Sequence, residues 1–223
     1  MKKLLASSVI AATAFAGVAA PAMADLSANI GYASEYYYRG IMQAESSASA
    51  GVDFETGGFY AGVWTVDVGD GLEVDGYLGY GMEFGDFGVG IGYTTYQYTG
   101  DFDTEYNEVN LNLSYSFASL EVSKGKHDVD TNFVPEILND DEDYTFVALT
   151  LEHNGFYGTY GTFSQDWDGY YVETGYGAEI GGFDTGVVLI FSQGDLGPKG
   201  EGWVNGGADD EAIVFSLSKS FDL

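Results

Sequence analysis

The chain has 223 residues, of which 7 are Lys or Arg and 35 are Asp or Glu, and its formal net charge is −28 at pH 7. This charge excludes a nucleic-acid partner, because phosphate binding requires clusters of Lys and Arg, and it favours cations. With 45% hydrophobic and 16% aromatic residues the chain is not disordered, and without Cys it forms neither disulfides nor thiolate metal sites.

The first predicted element is a signal peptide. Lys2 and Lys3 precede an apolar stretch that runs to about residue 20, and small residues at positions 22 and 24 complete an A-x-A cleavage pattern. We predict a signal peptide over residues 1–24, with a membrane anchor as the alternative. The remaining residues, 25–223, are predicted to form one domain, which carries five basic and 35 acidic residues and a formal net charge of −30.

Past residue 24, no apolar run approaches the roughly 18 residues of a spanning helix. Apolar and polar residues alternate instead, most regularly over 105–117, which is the period of a strand with one apolar face. Most of the segments have 10 to 13 residues, which is the length of a tilted strand that crosses a bilayer. The predicted strands are 26–38, 46–55, 59–68, 72–84, 87–98, 105–117, 119–129, 142–153, 156–167, 170–180, 183–193 and 211–221.

The links between the predicted strands alternate in length. Short links with turn residues follow the even-numbered strands, at 56–58, 85–86, 118, 154–155 and 181–182. Longer polar links follow most of the odd-numbered strands, at 39–45, 99–104, 130–141 and 194–210, with 69–71 and 168–169 as short exceptions.

This alternation is typical of bacterial outer-membrane proteins. We therefore predict an all-β fold, a single transmembrane antiparallel β-barrel of twelve strands with short periplasmic turns and longer extracellular loops. The predicted location is the bacterial outer membrane, where the barrel meets lipid and lipopolysaccharide. The aromatic final strand, with Phe215 and Phe221 on one face, predicts recognition by the barrel-assembly machinery. A soluble periplasmic β-sandwich is the alternative fold.

Several segments in the N-terminal half carry a family resemblance. Residues 31–43 contain the Tyr-Tyr-Tyr-Arg-Gly segment followed by Gln43, and residues 58–64, 73–80, 92–98 and 106–108 follow in order. Over about 26–117 the chain resembles the TorF family of outer-membrane porins. The resemblance implies an outer-membrane barrel of the porin type and implies no substrate.

If the apolar faces meet lipid, the opposite parity of each strand lines the lumen. Rings of Asp and Glu raise the local concentration of cations, so we hypothesise a cation-preferring pore. A plugged lumen, in which the carboxylates pair with Arg39 and with tyrosine hydroxyls, is the alternative. The predicted pore-lining residues are Glu35, Arg39, Asp53, Glu73, Asp75, Tyr77, Glu83, Tyr96, Glu108, Glu173, Glu179 and Asp184.

Aromatic residues are also expected in girdles at the two membrane interfaces, with sugar stacking as the alternative role. The candidates are Tyr36, Tyr38, Tyr80, Tyr93, Trp64 and Phe84.

The sequence predicts no catalytic residue, no cofactor and no specific metal site. Neither His127 nor His153 lies in a catalytic motif, although an outer-membrane lipase is the enzyme class to weigh. The acidic segment 128–143 departs from the calcium-loop pattern at its sixth and twelfth positions. Two alternatives stay open for it: weak binding of Ca²⁺ or Mg²⁺, and a solvated loop that binds no ion. We expect a passive channel for small hydrophilic solutes or ions. The alternative is a closed barrel that binds partners through its acidic loops.

Overall fold

A computed structural model describes residues 24–128, 141–199 and 207–223. Its strands are β1 (Asp25–Ala33), β2 (Tyr36–Tyr38), β3 (Ile41–Ala44), β4 (Ser47–Thr56), β5 (Phe59–Asp67), β6 (Leu72–Phe84), β7 (Phe87–Tyr98), β8 (Tyr106–Tyr115), β9 (Ala118–His127), β10 (Glu142–His153), β11 (Phe156–Gln165), β12 (Trp167–Asp168), β13 (Tyr170–Ile180), β14 (Phe183–Ser192), β15 (Gly197–Pro198) and β16 (Asp210–Asp222). Among these residues no helix is long and apolar enough to cross a membrane.

Twelve of the strands close into one antiparallel barrel, in which each strand pairs with its neighbour along the chain. The barrel closes where β1 pairs with β16 on one side and with β4 on the other. The predicted fold class is confirmed, and eleven of the twelve predicted strands match the observed bounds to within two residues. The predicted signal peptide lies outside the described residues except for Ala24, and it stays a prediction.

All of the two-residue turns between consecutive barrel strands lie at one end of the barrel, called here the turn end, where β1 also begins and β16 ends. Asn154 and Gly155 show why they are tight: both have positive φ, 52° and 82°, which is the conformation of a primed hairpin turn. One predicted turn is displaced, because Ser116 and Phe117 form it and Ala118 already begins β9. The longer connections lie at the opposite end, called the loop end.

The two faces of the barrel wall differ in polarity. Successive strand residues point to opposite sides of a sheet, so each strand presents alternate residues outward and into the lumen. Ile91 on the outer face is 58% exposed, whereas Val66 on the inner face is 0% exposed. The outer face is an apolar band that includes Leu26, Ile30, Val63, Leu78, Ile91, Val109, Leu149, Val172, Leu189 and Ile213.

Exposed aromatic side chains ring the outside of the turn end. They include Phe59, Tyr80, Phe84, Phe87, Tyr115, Phe117, Phe156, Tyr176, Phe183 and Phe221. Tyr80, Phe84 and Tyr93 therefore lie on the outer face, as a girdle requires. The girdle assignment is wrong for Tyr36, Tyr38 and Trp64, which pack inside the barrel.

The first predicted strand, 26–38, is too long. β1 leaves the barrel wall after Ala33, and Tyr36–Tyr38 pair with Ile41–Ala44 as a separate two-stranded hairpin. Residues 34–46, called here the plug hairpin, lie between β1 and β4 and fold into the lumen at the loop end. The consecutive tyrosines of this segment favour a strand, and they do form β2, but β2 is not part of the barrel wall.

Candidate functional site

The plug hairpin turns at Arg39 and Gly40, in the lumen. Both residues have positive φ, 48° and 82°, so the tip is a primed two-residue turn between β2 and β3. Gly40 also lies against the barrel wall, where a Cβ would come within 2.5 Å of the Cβ of Tyr171. The tip therefore requires glycine for its backbone conformation and for its close approach to β13.

Arg39 is the centre of the hairpin's contact with the wall and is 4% exposed. Its guanidinium donates two hydrogen bonds to the Glu108 carboxylate, at 2.5 Å and 3.0 Å, and a third to Glu121 at 2.7 Å. Burial would lower the pKa of Arg39, but the Glu108 carboxylate raises it well above its ordinary value. The guanidinium is therefore a buried, charged group held by two carboxylates on adjacent strands.

Glu108 is the most heavily hydrogen-bonded carboxylate in the described lumen. Besides Arg39, it accepts hydrogen bonds from Tyr144 at 2.6 Å and from Asn110 at 2.9 Å. The guanidinium carbon of Arg39 also lies 4.1 Å from the ring centroid of Phe146, which is cation–π distance. Such donors and rings offset the cost of burying this ion pair.

The hairpin is also tied to other parts of the wall. Tyr36 donates to Glu73 on β6 at 2.6 Å, and Tyr37 donates to Asp210 on β16 at 2.8 Å. The Ser192 hydroxyl of β14 donates to the Gly40 carbonyl at 2.5 Å. Together with Glu108, these contacts connect the hairpin to strands around the whole circumference, so it spans the lumen.

Aromatic side chains fill the space around the hairpin. Tyr96, Tyr106, Tyr144, Phe146, Phe163, Trp167 and Tyr171 form one buried cluster with Ile41 and Leu196. Leu196, which is 0% exposed, belongs to the connection after β14 and covers the hairpin tip near Gly40. β15, in that connection, pairs with β12. The loop-end half of the lumen is therefore packed like a protein core.

The turn-end half of the lumen has a different lining. Its inward positions are mostly Gly, Ser, Asn and acidic residues, such as Asp53, which accepts a hydrogen bond from Asn29 at 3.1 Å and one from Tyr77. Glu83 and Glu179 at this end are exposed. Inward tyrosines lie over some of these glycines, as Tyr60 does over Gly79 and Gly92.

The predicted pore-lining residues fall into three groups. Asp53, Glu83, Glu173, Glu179 and Asp184 occupy inward positions that are partly or fully exposed. Five of the remainder are buried among the plug contacts and two have other positions, and the assignment of all twelve as pore-lining residues stays a prediction. The buried ones are Arg39, Glu73, Asp75, Tyr96 and Glu108; Tyr77 is half-buried beside Asp53, and Glu35 lies at the bend between β1 and the hairpin.

The sequence did not single out Glu121, Tyr144 or Phe146. Glu121 was overlooked although β9 alternates inward Glu121, Ser123 and Gly125 with outward residues, which is the signal that could have identified it. In β10 the sequence does not distinguish the two faces, because inward Tyr144 and Phe146 are as apolar as the outward residues.

Nothing in the described ranges resembles a metal centre, since no three His, Asp or Glu side chains there converge on a common point. Most of the acidic segment 128–143 lies outside the described residues, so its weak Ca²⁺ or Mg²⁺ binding stays a prediction. Where it is described, Lys126 forms an exposed ion pair with Asp141.

The fold and the site define a class: a closed twelve-stranded barrel with an apolar outer band and a hairpin plug in its lumen. The chain belongs to the family described as "Bacterial protein of unknown function (Gcw_chp)", whose model matches residues 16–187. The TorF name is not confirmed by this match. No curated protein matches the sequence.

Several solved structures are similar to this chain at low sequence identity. A protein from a study of in-meso crystallisation of membrane proteins is 8% identical, with a TM-score of 0.56 over 89% of this chain and 84% of that one. The NanC porin is 10% identical, with a TM-score of 0.49 over 89% of this chain and 100% of its own. Pseudomonas aeruginosa OccK1 (OpdK) is 12% identical, with a TM-score of 0.40, and this chain spans only 58% of it. The first similarity supports the barrel fold and nothing further.

Proposed function

We propose that this protein is an outer-membrane, porin-like channel for small hydrophilic solutes or ions, that it prefers cations, and that the plug hairpin restricts passage. The observation that carries the proposal is the division of charge between the two faces of the wall. The outer face is an apolar band of bilayer type, and the inner face carries carboxylates. A polar lumen inside an apolar band is the arrangement of transmembrane β-barrels.

The charge balance of the lumen supports cation preference. Among the described residues, Arg39 is the only Lys or Arg that points inward, and it is already paired with Glu108 and Glu121. Lys124, Lys126 and Lys219 occupy outward positions on β9 and β16. The inward carboxylates are Asp25, Asp53, Glu55, Glu73, Asp75, Glu83, Glu108, Glu121, Glu142, Glu152, Glu173, Glu179, Asp184, Asp210 and Asp222. Their combined field concentrates cations and repels anions.

The plug hairpin sets the condition for passage. Solutes that enter from the turn end meet the Arg39 and Glu108 contact and the aromatic cluster around it. Conduction then depends on displacement of the hairpin, whose ends at Ser34 and Ser46 join the wall while its tip is held by side chains. The proposed channel is closed in the described conformation and conducts when the hairpin leaves its contacts.

Partners follow from the same arrangement. The apolar band would contact outer-membrane lipid, and lipopolysaccharide would meet the loop end. The assembly machinery would recognise the aromatic β16 during biogenesis.

A second candidate function is favoured by the packing of the plug itself. If the hairpin never leaves the lumen, the barrel is a closed scaffold that presents its acidic loops to surface partners. The observation that supports this closed scaffold is that four hairpin residues are hydrogen-bonded to the wall, namely Tyr36, Tyr37, Arg39 and Gly40. The two functions differ in whether ions cross.

Planar-bilayer recording of the purified, folded protein separates the two. Under a KCl gradient, the channel proposal expects conductance events whose reversal potential has the sign of K⁺ selectivity. Folding is checked on the same sample by heat-dependent gel mobility. Folded protein that conducts neither as wild type nor with a weakened plug would support the closed scaffold. Anion selectivity would remove the proposed role of the lumen carboxylates.

A further inference from the structure

The loop-end half of the lumen buries more negative than positive charge. Glu73, Asp75 and Glu108 are each 1% exposed, and Arg39 is the only inward Lys or Arg among the described residues, while the buried imidazole of His127 lies between Asp103 and Glu142. Arg39 is shared between Glu108 and Glu121, so it offers nothing to the other two carboxylates. Buried charges are costly unless they are paired or hydrogen-bonded, so the environments of Glu73 and Asp75 have to be accounted for separately.

Glu73 is accounted for by hydroxyl donors. Tyr36 donates to one of its oxygens at 2.6 Å, and Tyr98 donates to the other at 2.9 Å. These two O–H donors satisfy both oxygens of the Glu73 carboxylate.

Asp75 has no such arrangement. Its Oδ1 is buried and accepts no hydrogen bond from any residue in the part of the chain that the structure describes. The hydroxyls nearby are committed elsewhere, since Tyr36 donates to Glu73 and Tyr96 donates to Glu108 at 3.3 Å. A buried acceptor without a hydrogen bond costs folding free energy, and the cost is larger when the acceptor is charged than when it is neutral. Protonation of Asp75, or a ligand from outside the chain, would remove this cost.

The surroundings of Asp75 suit a small cation. On the inner face Asp75 pairs with Trp64 of β5 on one side and with Tyr96 of β7 on the other, so two aromatic side chains flank it. Glu73 and Glu108, the other two buried carboxylates of this half, add to the negative charge of the lumen around Asp75. Aromatic faces attract cations, and carboxylate and phenol oxygens are hard ligands.

We propose that Asp75 is the anchor of a binding site for a monovalent metal cation, Na⁺ or K⁺, within the lumen. A divalent ion is disfavoured because no three acidic or His side chains of the described residues converge there. The inference rests on the proposed function in that the site lies on the proposed cation path. Binding is measured without conduction, however, so the two ideas can fail separately.

The test compares wild type with Asp75→Asn, which keeps the side-chain volume and removes the charge. Asp53→Asn is the matched control, because Asp53 is also an inward carboxylate but is supplied with donors by Asn29 and Tyr77. Each folded protein is heated in NaCl, in KCl and in N-methyl-D-glucamine chloride at equal ionic strength, and unfolding is followed by gel mobility. The large organic cation controls for screening of the lumen charges.

Wild type and Asp53→Asn are expected to melt roughly 5–10 °C higher in the alkali salt that they bind, once it exceeds its dissociation constant about 100-fold. Asp75→Asn is expected to melt at the same temperature in all three salts. A wild type with no preference for alkali cations would overturn the proposal and would instead indicate a protonated Asp75 or a bound water.

A second measurement does not depend on the stability of the variants. Sodium-23 NMR of the wild-type protein in detergent should show line broadening that added KCl relieves, as bound Na⁺ is displaced. Broadening that persists in Asp75→Asn, or that is absent from folded wild type, contradicts the site. Because no current is recorded, a protein that binds Na⁺ but never conducts would sink the channel proposal and leave this one standing.

Discussion

Replacement of Arg39 by Gln should release the plug hairpin. The substitution removes the one cation that the hairpin tip presents to the wall and leaves Glu108 and Glu121 facing each other without it. Tyr144 and Asn110 still donate to Glu108, so the wall is preserved while its contact with the hairpin is lost. Arg39 lies at the tip of the hairpin and outside the barrel strands, so the barrel itself should still close.

The size of the effect follows from the burial of the pair. Removing one partner of a buried, hydrogen-bonded ion pair costs about 3–5 kcal/mol, because the other charge is left uncompensated. Each 1.4 kcal/mol is a factor of ten, so the seated hairpin loses roughly 100- to 3000-fold in its equilibrium with the released state. The cation–π contact of Arg39 with Phe146 at 4.1 Å is lost with it.

Planar-bilayer recording measures the result as open probability, which should rise by at least about 100-fold in Arg39→Gln unless the wild type is already mostly open. Lys219→Gln is the matched control, since it removes the same charge from the outer face, where the ammonium lies 4.9 Å from the Phe183 ring centroid. Its open probability should equal that of wild type. If folded Arg39→Gln conducts no more than wild type, the ion pair does not hold the channel closed.

Three further predictions test other parts of the account. Gly40→Ala should raise open probability, because the added Cβ would meet Tyr171. Gly57→Ala is the control: Gly57 also has positive φ, but nothing lies within 4 Å of its Cβ, so open probability should not change. Equal open probabilities in the two variants would contradict the close packing of the hairpin tip against β13. Ile91→Arg, in the apolar band, should destabilise the barrel in lipid vesicles by about 2–4 kcal/mol in urea titrations, and a change near zero would argue against a membrane-embedded face. Mass spectrometry of the protein from outer membranes should give a mature N-terminus at Asp25, and an intact chain would refute the signal peptide.

The barrel could be predicted because most of its strands have faces of different polarity. In β6, β7 and β8 most outward residues are apolar and most inward ones are acidic, amide, hydroxyl-bearing or glycine, so the sequence indicates both the faces of the strands and the turns between them. The same reasoning identified Glu108 and Asp75 as inward. The alternation of polarity does not identify the inward face of β10 and β11, because inward Phe146 and Phe163 pack on each other and both faces are apolar.

The plug hairpin was missed for a related reason. Tyr36–Tyr38 continue the aromatic composition of β1, and nothing local distinguishes a strand of the wall from a strand that leaves it. The primed turn at Arg39 and Gly40 is a signal for a hairpin, but the direction in which that hairpin folds depends on its partners. Those partners, Glu108, Ser192 and Asp210, are 69 to 173 residues away in the chain.

The central claim is that an anionic lumen, closed by the hairpin, conducts cations when the hairpin leaves. The most direct measurement is the reversal potential of single-channel currents from wild type and Arg39→Gln in the same KCl gradient. The account predicts rare events in wild type, frequent events in Arg39→Gln, and K⁺ selectivity in both. Folded protein that stays silent in both forms, or that passes Cl⁻ in preference to K⁺, would contradict it.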